Sequence, residues 1–531
     1  MQIVVQKVFS IRRAAVLALI SLVPLTTAAA AASRPIVIVP LDDRPVTQQL
    51  PIMLGSIAGI PVLEPPLPLL GHYLQAGDPH AIYRWLQSDQ TRDADAFVLS
   101  SDMMVYGGLV ASRVPGLPTA IGSSRLRDTT ALRAVRPNAV FFGFGTIMRL
   151  APTGVPKIGD AASFFAAGDD TTLIQEYANL PYPLQKPDDI AKAQRIAARL
   201  GPLLDEYLSA RRRNLDVDLL ALRLTAEGGF DRFVLGQDDA GQQGLDIPDI
   251  ASLMTARTHW GWGLMQRTSV EPGADELAMI MEAAAFTHRA GWTPRISVTW
   301  SQPGGSNMTD NIEFAPWGNI IDDIIASCGA AEVPSDGDID LFVRVRGTSV
   351  AQETAFLDAI GAALSRGKLV SVVDLTFFGA PLDEQRELVQ QMIARNYAGK
   401  LAGFASWNTT ANSVGTAVPT AIAVAVGKRL GTFNPTALAE FLLDRYADDY
   451  AFHDYVRPQL NDELHAQHVA TTFLLPADAQ RVSDENRALL WPHAVDLLSS
   501  IFPNYRDAGL TITLPWSRTF EAFLDVRLDR R

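Results

Sequence analysis

Short runs of β-branched and aromatic residues recur along the chain, and each stops abruptly at polar or acidic positions. Ile36-Val37-Ile38-Val39 runs into Pro40-Leu41-Asp42-Asp43-Arg44-Pro45, and Phe97-Val98-Leu99 into Ser100-Ser101-Asp102. Phe233-Val234-Leu235 leads to Gly236-Gln237-Asp238-Asp239, and Val370-Ser371-Val372-Val373 to Asp374. A continuous Val/Ile run without polar alternation fits a strand buried on both faces, as in a parallel sheet. The acids then stand at strand ends, where open α/β sheets place their ligand sites.

Between these runs the pattern changes to helical spacing. Helices are predicted over residues 48–57 and 80–90, and a long helical section over 171–227. Strands are predicted at 35–39, 61–63, 96–99, 139–144 and 233–235, the second stopped by Glu64-Pro65-Pro66 because proline cannot continue a ladder. The alternation resumes with strands at 295–300, 340–345, 369–373 and 401–405, and a helix at 384–395. Beyond Asn434 the pattern is helical.

The expected fold is α/β with mainly parallel strands. It comprises two doubly wound, Rossmann-like lobes at 34–290 and 291–433 and a helical C-terminal region at 434–531. Arg289-Ala290-Gly291-Trp292-Thr293-Pro294 is the joint between the lobes. A distorted (β/α)8 barrel is the alternative, because its strand ends also converge.

The first 32 residues stand outside this pattern. Lys7, Arg12 and Arg13 precede an apolar segment, and small residues from Ala28 to Ala32 offer cleavage sites, the grammar of a signal peptide. Pro24, two threonines and the alanine run make that segment short for an anchor. Arg12-Arg13 also fits a twin-arginine signal. A periplasmic or secreted bacterial protein is expected, with no membrane anchor after cleavage.

Composition narrows the partners. The 531 residues are 48% hydrophobic and carry a net charge of −13, or −16 without the leader's three cations. An acidic chain without a basic stripe is a poor nucleic-acid binder. Cys328 is the only cysteine, so no intramolecular disulfide forms, and it reads as a small core residue after a helix.

Candidate chemistry lies at the strand exits. Asp42, Asp43, Asp102, Asp238 and Asp239 are the candidate catalytic acids, with Asp238 and Asp239 the first choice for acid/base work. Adjacent carboxylates repel, so one of each pair needs a cation, a donor or a proton. Capping of the following helix is the competing use of each aspartate. Arg44, Tyr106, Arg149, Gln237, Trp407, Asn408 and Asn412 are the candidate substrate-binding residues, with Trp407 stacking on a sugar and the asparagines bonding its hydroxyls. Arg44, Arg113 and Arg149 clamp a ligand or neutralise the acids. His465 and His468 share a helical face but lack the glutamate of a zincin motif, and no Gly-x-Ser-x-Gly elbow or Walker loop is present. A metal at the acidic exits would be Mg²⁺ or Ca²⁺ with oxygen ligands.

Several of these stretches together resemble a bacterial family catalogued as domain of unknown function 4127. They are Pro40-Leu41-Asp42-Asp43-Arg44-Pro45, Ser101-Asp102-Met103-Met104-Val105-Tyr106-Gly107-Gly108-Leu109, Gly236-Gln237-Asp238-Asp239, Pro272-Gly273-Ala274-Asp275-Glu276 and Trp407-Asn408-Thr409-Thr410-Ala411-Asn412-Ser413-Val414-Gly415. Asp448-Asp449 with Arg457 extends the likeness into the tail, whereas the stretch from Val373 to Gly379 departs from the family's more polar pattern. The resemblance implies no activity. The residues themselves point to an exported hydrolase acting on carbohydrate, glycoside-hydrolase-like, with a small molecule or glycan as substrate. The alternatives are a non-catalytic periplasmic sugar or small-molecule binding protein and a metal-dependent phosphoester or amide hydrolase.

Overall fold

The computed structural model describes residues 34–155, 165–166 and 168–531. The leader expected at 1–32 lies outside the described residues.

Two open, all-parallel sheets organise the chain, and neither closes into a barrel. The first contains β1 (Ile36–Val39), β2 (Val62–Leu63), β3 (Ala96–Ser100), β4 (Val140–Ile147), β7 (Arg232–Gln237) and β8 (Thr268–Pro272), in the order β2-β1-β3-β4-β7-β8. Between β4 and β7 a two-residue parallel pair forms from β5 (Gly154–Val155) and β6 (Phe165–Ala166). The second sheet contains β9 (Arg295–Trp300), β10 (Ala331–Val333), β11 (Ile339–Val345), β12 (Leu369–Leu375) and β13 (Gly403–Ala405), in the order β10-β9-β11-β12-β13. Both sheets thus begin with the 2-1-3-4-5 order of a doubly wound fold, whose strand ends open onto a ligand crevice.

The strands' alternation assigns their two faces. Ile36, Ile38, Val98, Phe142 and Phe144 turn toward a core shared with the second sheet, whereas Val37, Val39, Phe97, Leu99 and Phe141 pack on the outer face. The shared core also holds Leu341, Val343 and Val345, together with the helix Leu277–Ala290 and the helix Thr410–Leu430. That last helix is buried from Thr410 to Gly427 on every side, as a helix with no polar face must be. No helix among the described residues is long and apolar enough to cross a membrane.

Three differences from the sequence expectations concern short or edge elements. β8 and β10 are additional edge strands, and β8 ends in Pro272, a residue that only a strand's margin tolerates. The section at 171–227 is three helices, Asp169–Ala178, Pro187–Leu200 and Pro202–Ala226, interrupted where proline and Gly201 recur. The C-terminal region is mostly helical, but it also forms an antiparallel hairpin of β14 (Tyr505–Thr513) and β15 (Phe523–Arg530). Its alternating Ile512, Leu524, Val526 and Leu528 join the core on the outer face of the second sheet. Cys328 is buried directly after the helix Trp317–Ser327, as expected.

Candidate active site

The C-terminal ends of both sheets and the C-terminal region enclose one cleft of about 340 Å³. Each wall follows from a strand exit. β7 ends at Gln237, so Asp238 and Asp239 emerge where the ladder stops, and the turn after β8 supplies Asp275. β4 runs on to Ile147, beyond the predicted end, and carries Arg149 to the rim. After β3, Gly107 at φ 92° and Gly108 at φ 126° turn the chain sharply. A side chain on Gly107 would meet the Gly77 carbonyl at 2.7 Å, and this turn delivers Arg113 to the cleft. The second lobe contributes Glu313 from the segment after β9, and Asn408, Thr409 and Asn412 from beyond β13.

The two aspartates after β7 have different environments. Asp238 is buried and ion-paired with Arg113. Asp239 keeps access to water between the cleft walls, 3.5 Å from Arg149. Burial among those walls, and then the neighbouring Asp238 charge, raise its carboxyl above the ordinary aspartate range. Glu313 is pushed up to about 7, chiefly by burial, while its Oε1 accepts the Ala411 amide at 2.8 Å. The cleft therefore holds a carboxyl ion-paired with an arginine together with two carboxyls raised by burial, an arrangement in which acid and base roles can be separated.

Backbone strain marks the same place. Among the described residues six non-glycines have positive φ, and three of them, Tyr73 (45°), Asp239 (35°) and Asn408 (51°), line the cleft. Such conformations cost energy and persist where the surroundings impose them, often at functional sites. Asn408 is held by a bond from its Nδ2 to Asn412 Oδ1 at 2.7 Å, and Asn412 in turn donates to Glu276 at 2.6 Å.

Seven of the twelve sequence-predicted residues meet here: Arg44, Arg149, Gln237, Asp238, Asp239, Asn408 and Asn412. Gln237 lines the cleft with its amide turned to Asp246 and the Gly241 carbonyl. The other five do not line it. Asp42 is buried against Arg44, which it grips at 2.8 Å together with Asp275 at 2.6 Å. Asp43 supports from behind, accepting from Trp516 Nε1 and contacting His72 Nδ1, each at 2.7 Å. Asp102 accepts the Thr146 amide and hydroxyl at 2.8 and 3.0 Å, stitching β3 to β4, and burial raises it to about 6. Tyr106 lies buried beneath the Arg213 guanidinium, 4.6 Å from its ring centre. Trp407 is no sugar platform: it is 4% exposed and packed in the shared core, with its Nε1 on Thr416 at 3.3 Å.

Among the described residues no group of three or more His, Cys, Asp or Glu side chains is disposed to hold a metal ion, and the acidic exits are matched by arginines instead. His468 lies past the end of the helix Arg457–Ala466, so the predicted histidine face does not form. Asp374 lies within β12 rather than beyond it, paired with Arg344 at 3.1 Å.

Sequence reasoning missed Glu313 and most of the C-terminal wall. That wall comprises Asn461, Thr471, Thr472, Trp516, Arg518, Thr519 and Phe520, beside Arg457. Arg457 follows the 11-residue π-helix Tyr446–Val456, whose Asp449 accepts the Ser406 amide at 2.8 Å and ties the tail to the β13 exit. The available signal was Trp516-Ser517-Arg518-Thr519-Phe520, aromatic and cationic residues crowded into a loop. Glu313 carries no such signal, being one acid among many.

The chain belongs to the family described as protein of unknown function (DUF4127), whose family model matches residues 36–525. No curated protein and no solved structure matches it.

Proposed function

We propose that the protein is a hydrolase that cleaves a hydroxyl-rich, carbohydrate-like substrate by general acid–base chemistry. The observation that carries this reading is the division of labour among carboxyls in one cleft: Asp238 held by Arg113, with Asp239 and Glu313 raised. Glu313 and Asp239 are the candidate proton donors, and Asp238, paired with Arg113, is the candidate to stabilise developing positive charge or activate water. Asn408, Asn412, Asn461 and the threonines of the C-terminal wall supply amide and hydroxyl partners for sugar hydroxyls.

A non-catalytic binding protein that closes its lobes on a ligand is the weaker reading. The lobes share one apolar core through the helix Thr410–Leu430, and such an interface resists the hinge that closure requires. Export, the expectation from the sequence of residues 1–32, would agree with a glycan substrate.

Hydrolysis of a broad glycan panel by the full chain tests the proposal. Glu313→Gln and Asp239→Asn are each expected to lower kcat by about 10²- to 10⁴-fold while the protein stays folded. An acid must carry its proton, so kcat is expected to fall as pH rises through the Glu313 value of about 7. No turnover on any glycan, or turnover unchanged in both variants, would overturn the reading.

A further inference from the structure

Arginine is concentrated in the cleft of an acidic molecule. The chain carries a net charge of −13, yet Arg44, Arg113, Arg149, Arg457 and Arg518 all line one cavity. Asp238, Asp239, Asp275 and Glu313 line it too, so what an entering ligand feels depends on which of the arginines those acids already match.

Aromatic rings space these cations into a ladder. Arg44 lies 4.9 Å and Arg518 4.6 Å from the centre of the Trp516 ring, while Arg518 and Arg457 lie 5.0 and 4.8 Å from that of Phe520. Tyr73 stacks on Trp516 at 5.0 Å, so the ring contacts of Trp516 are already taken by protein groups. What this wall offers a ligand is guanidinium and hydroxyl rather than a bare aromatic face.

The cations are not equally satisfied. Arg44 is matched by Asp42 and Asp275, Arg113 by Asp238, and Arg518 by Glu521 at 2.7 Å. Arg457 makes no ion pair among the described residues; its contacts are His453 Nδ1 at 3.3 Å and Phe520. The Nε atoms of Arg113, Arg457 and Arg518 are buried and have no hydrogen-bond acceptor among the described residues. Arg149 donates from Nε to the Ala151 carbonyl at 3.0 Å and its one ion pair among the described residues is the long one to Asp239, at 3.5 Å; burial followed by the Arg113 charge lowers it to about 10. Desolvated guanidinium groups without full partners are costly unless an anion completes them.

We propose that the cleft receives a substrate bearing an oxyanion, a carboxylate, sulfate or phosphate group, which Arg149, Arg457 and Arg518 bind beside the Thr471, Thr472 and Thr519 side chains. The proposal rests on the hydrolase reading only for the word substrate; the anion site stands on the cavity and its arginines. Guanidinium forks match oxyanions with paired charge-assisted bonds, which a neutral sugar hydroxyl cannot supply.

Isothermal titration of the full chain with sulfate, inorganic phosphate, glucuronate and glucose, at constant ionic strength, tests it. At least one anion is expected to bind and glucose is not. A preference for sulfate or phosphate identifies a tetrahedral group, and a preference for glucuronate identifies a carboxylate. Arg457→Gln is expected to weaken the bound anion about tenfold or more. Because Arg457 is in no ion pair among the described residues, that change strands no carboxylate there, and an unchanged melting temperature checks folding. Absence of anion binding by the wild type, glucose binding equal to that of the anions, or anion affinity unchanged in both Arg457→Gln and Arg149→Gln would overturn the proposal. Anion binding without hydrolysis of any glycan would leave this site standing and remove the hydrolase reading. Hydrolysis of neutral glycans without anion binding would do the reverse.

Discussion

Glu271 has no access to solvent on β8, accepting bonds from the Ser269 and Ser327 hydroxyls at 2.8 and 3.1 Å, and burial pushes its carboxyl up to about 7. A carboxyl raised from 4.5 in this way is protonated in both states below pH 4.5, so its contribution is complete there and is lost as pH rises through about 7. Glu271→Gln keeps the shape of the protonated acid. Its unfolding free energy, read by denaturant titration, is expected to gain on the wild type between pH 4.5 and 8, by up to about 3 kcal/mol at the upper end. A wild-type-to-variant difference independent of pH would refute this. Residue type alone does not distinguish such a group from Glu313, which has a similar value but lines the cleft. The same limit applies to the aspartates. Asp238 and Asp42 follow strands in the same way, yet one borders the cavity and the other lies behind Arg44.

The segment joining β13 to the helix Thr410–Leu430 shows how a local signal can carry two meanings. Thr409 and Asn412 form a capping box, with the Asn412 amide on Thr409 Oγ1 at 3.1 Å and the Thr409 hydroxyl on Asn412 Oδ1 at 2.9 Å. Asn412 therefore helps to cap the helix and lines the cleft at once, because the strand loop ends, the helix starts and the cavity opens at the same place. Thr409→Ala is expected to cost about 1 kcal/mol, and Thr409→Ser much less, as read by thermal unfolding. An alanine variant as stable as wild type would mean that the cap is replaceable by solvent. Element type was readable wherever the apolar pattern was long: the β-branched runs became strands of two parallel sheets. It was unreadable for β14 and β15, whose charged, exposed positions obscure the alternation and whose pairing partner lies across an intervening loop.

For the whole molecule, the decisive contact is between elements of different lobes. Gly427 brings the helix Thr410–Leu430 against the first lobe, where an added Cβ would stand 3.1 Å from Ala58 Cα and 3.0 Å from Phe433 Cα. Gly427→Val is expected to destabilise both lobes together by about 1–3 kcal/mol, moving a single calorimetric transition. Two separate transitions would show that each lobe keeps its own core. By itself the sequence determined what repeats locally: buried strands, their helices, the parallel α/β class and the polar strand ends that line the cleft. Those features follow from apolar periodicity and from residues whose backbone preferences act over a few positions. The tertiary structure alone decided that the two sheets share one core and that Trp407 belongs to it. It also decided that Asp42, Asp43 and Asp102 brace the site from outside the cavity, and that arginines from the tail complete the cleft. The reason is distance along the chain: Arg44 and Trp516 stand near opposite ends of the sequence, and no periodicity records that a charge and a ring will meet.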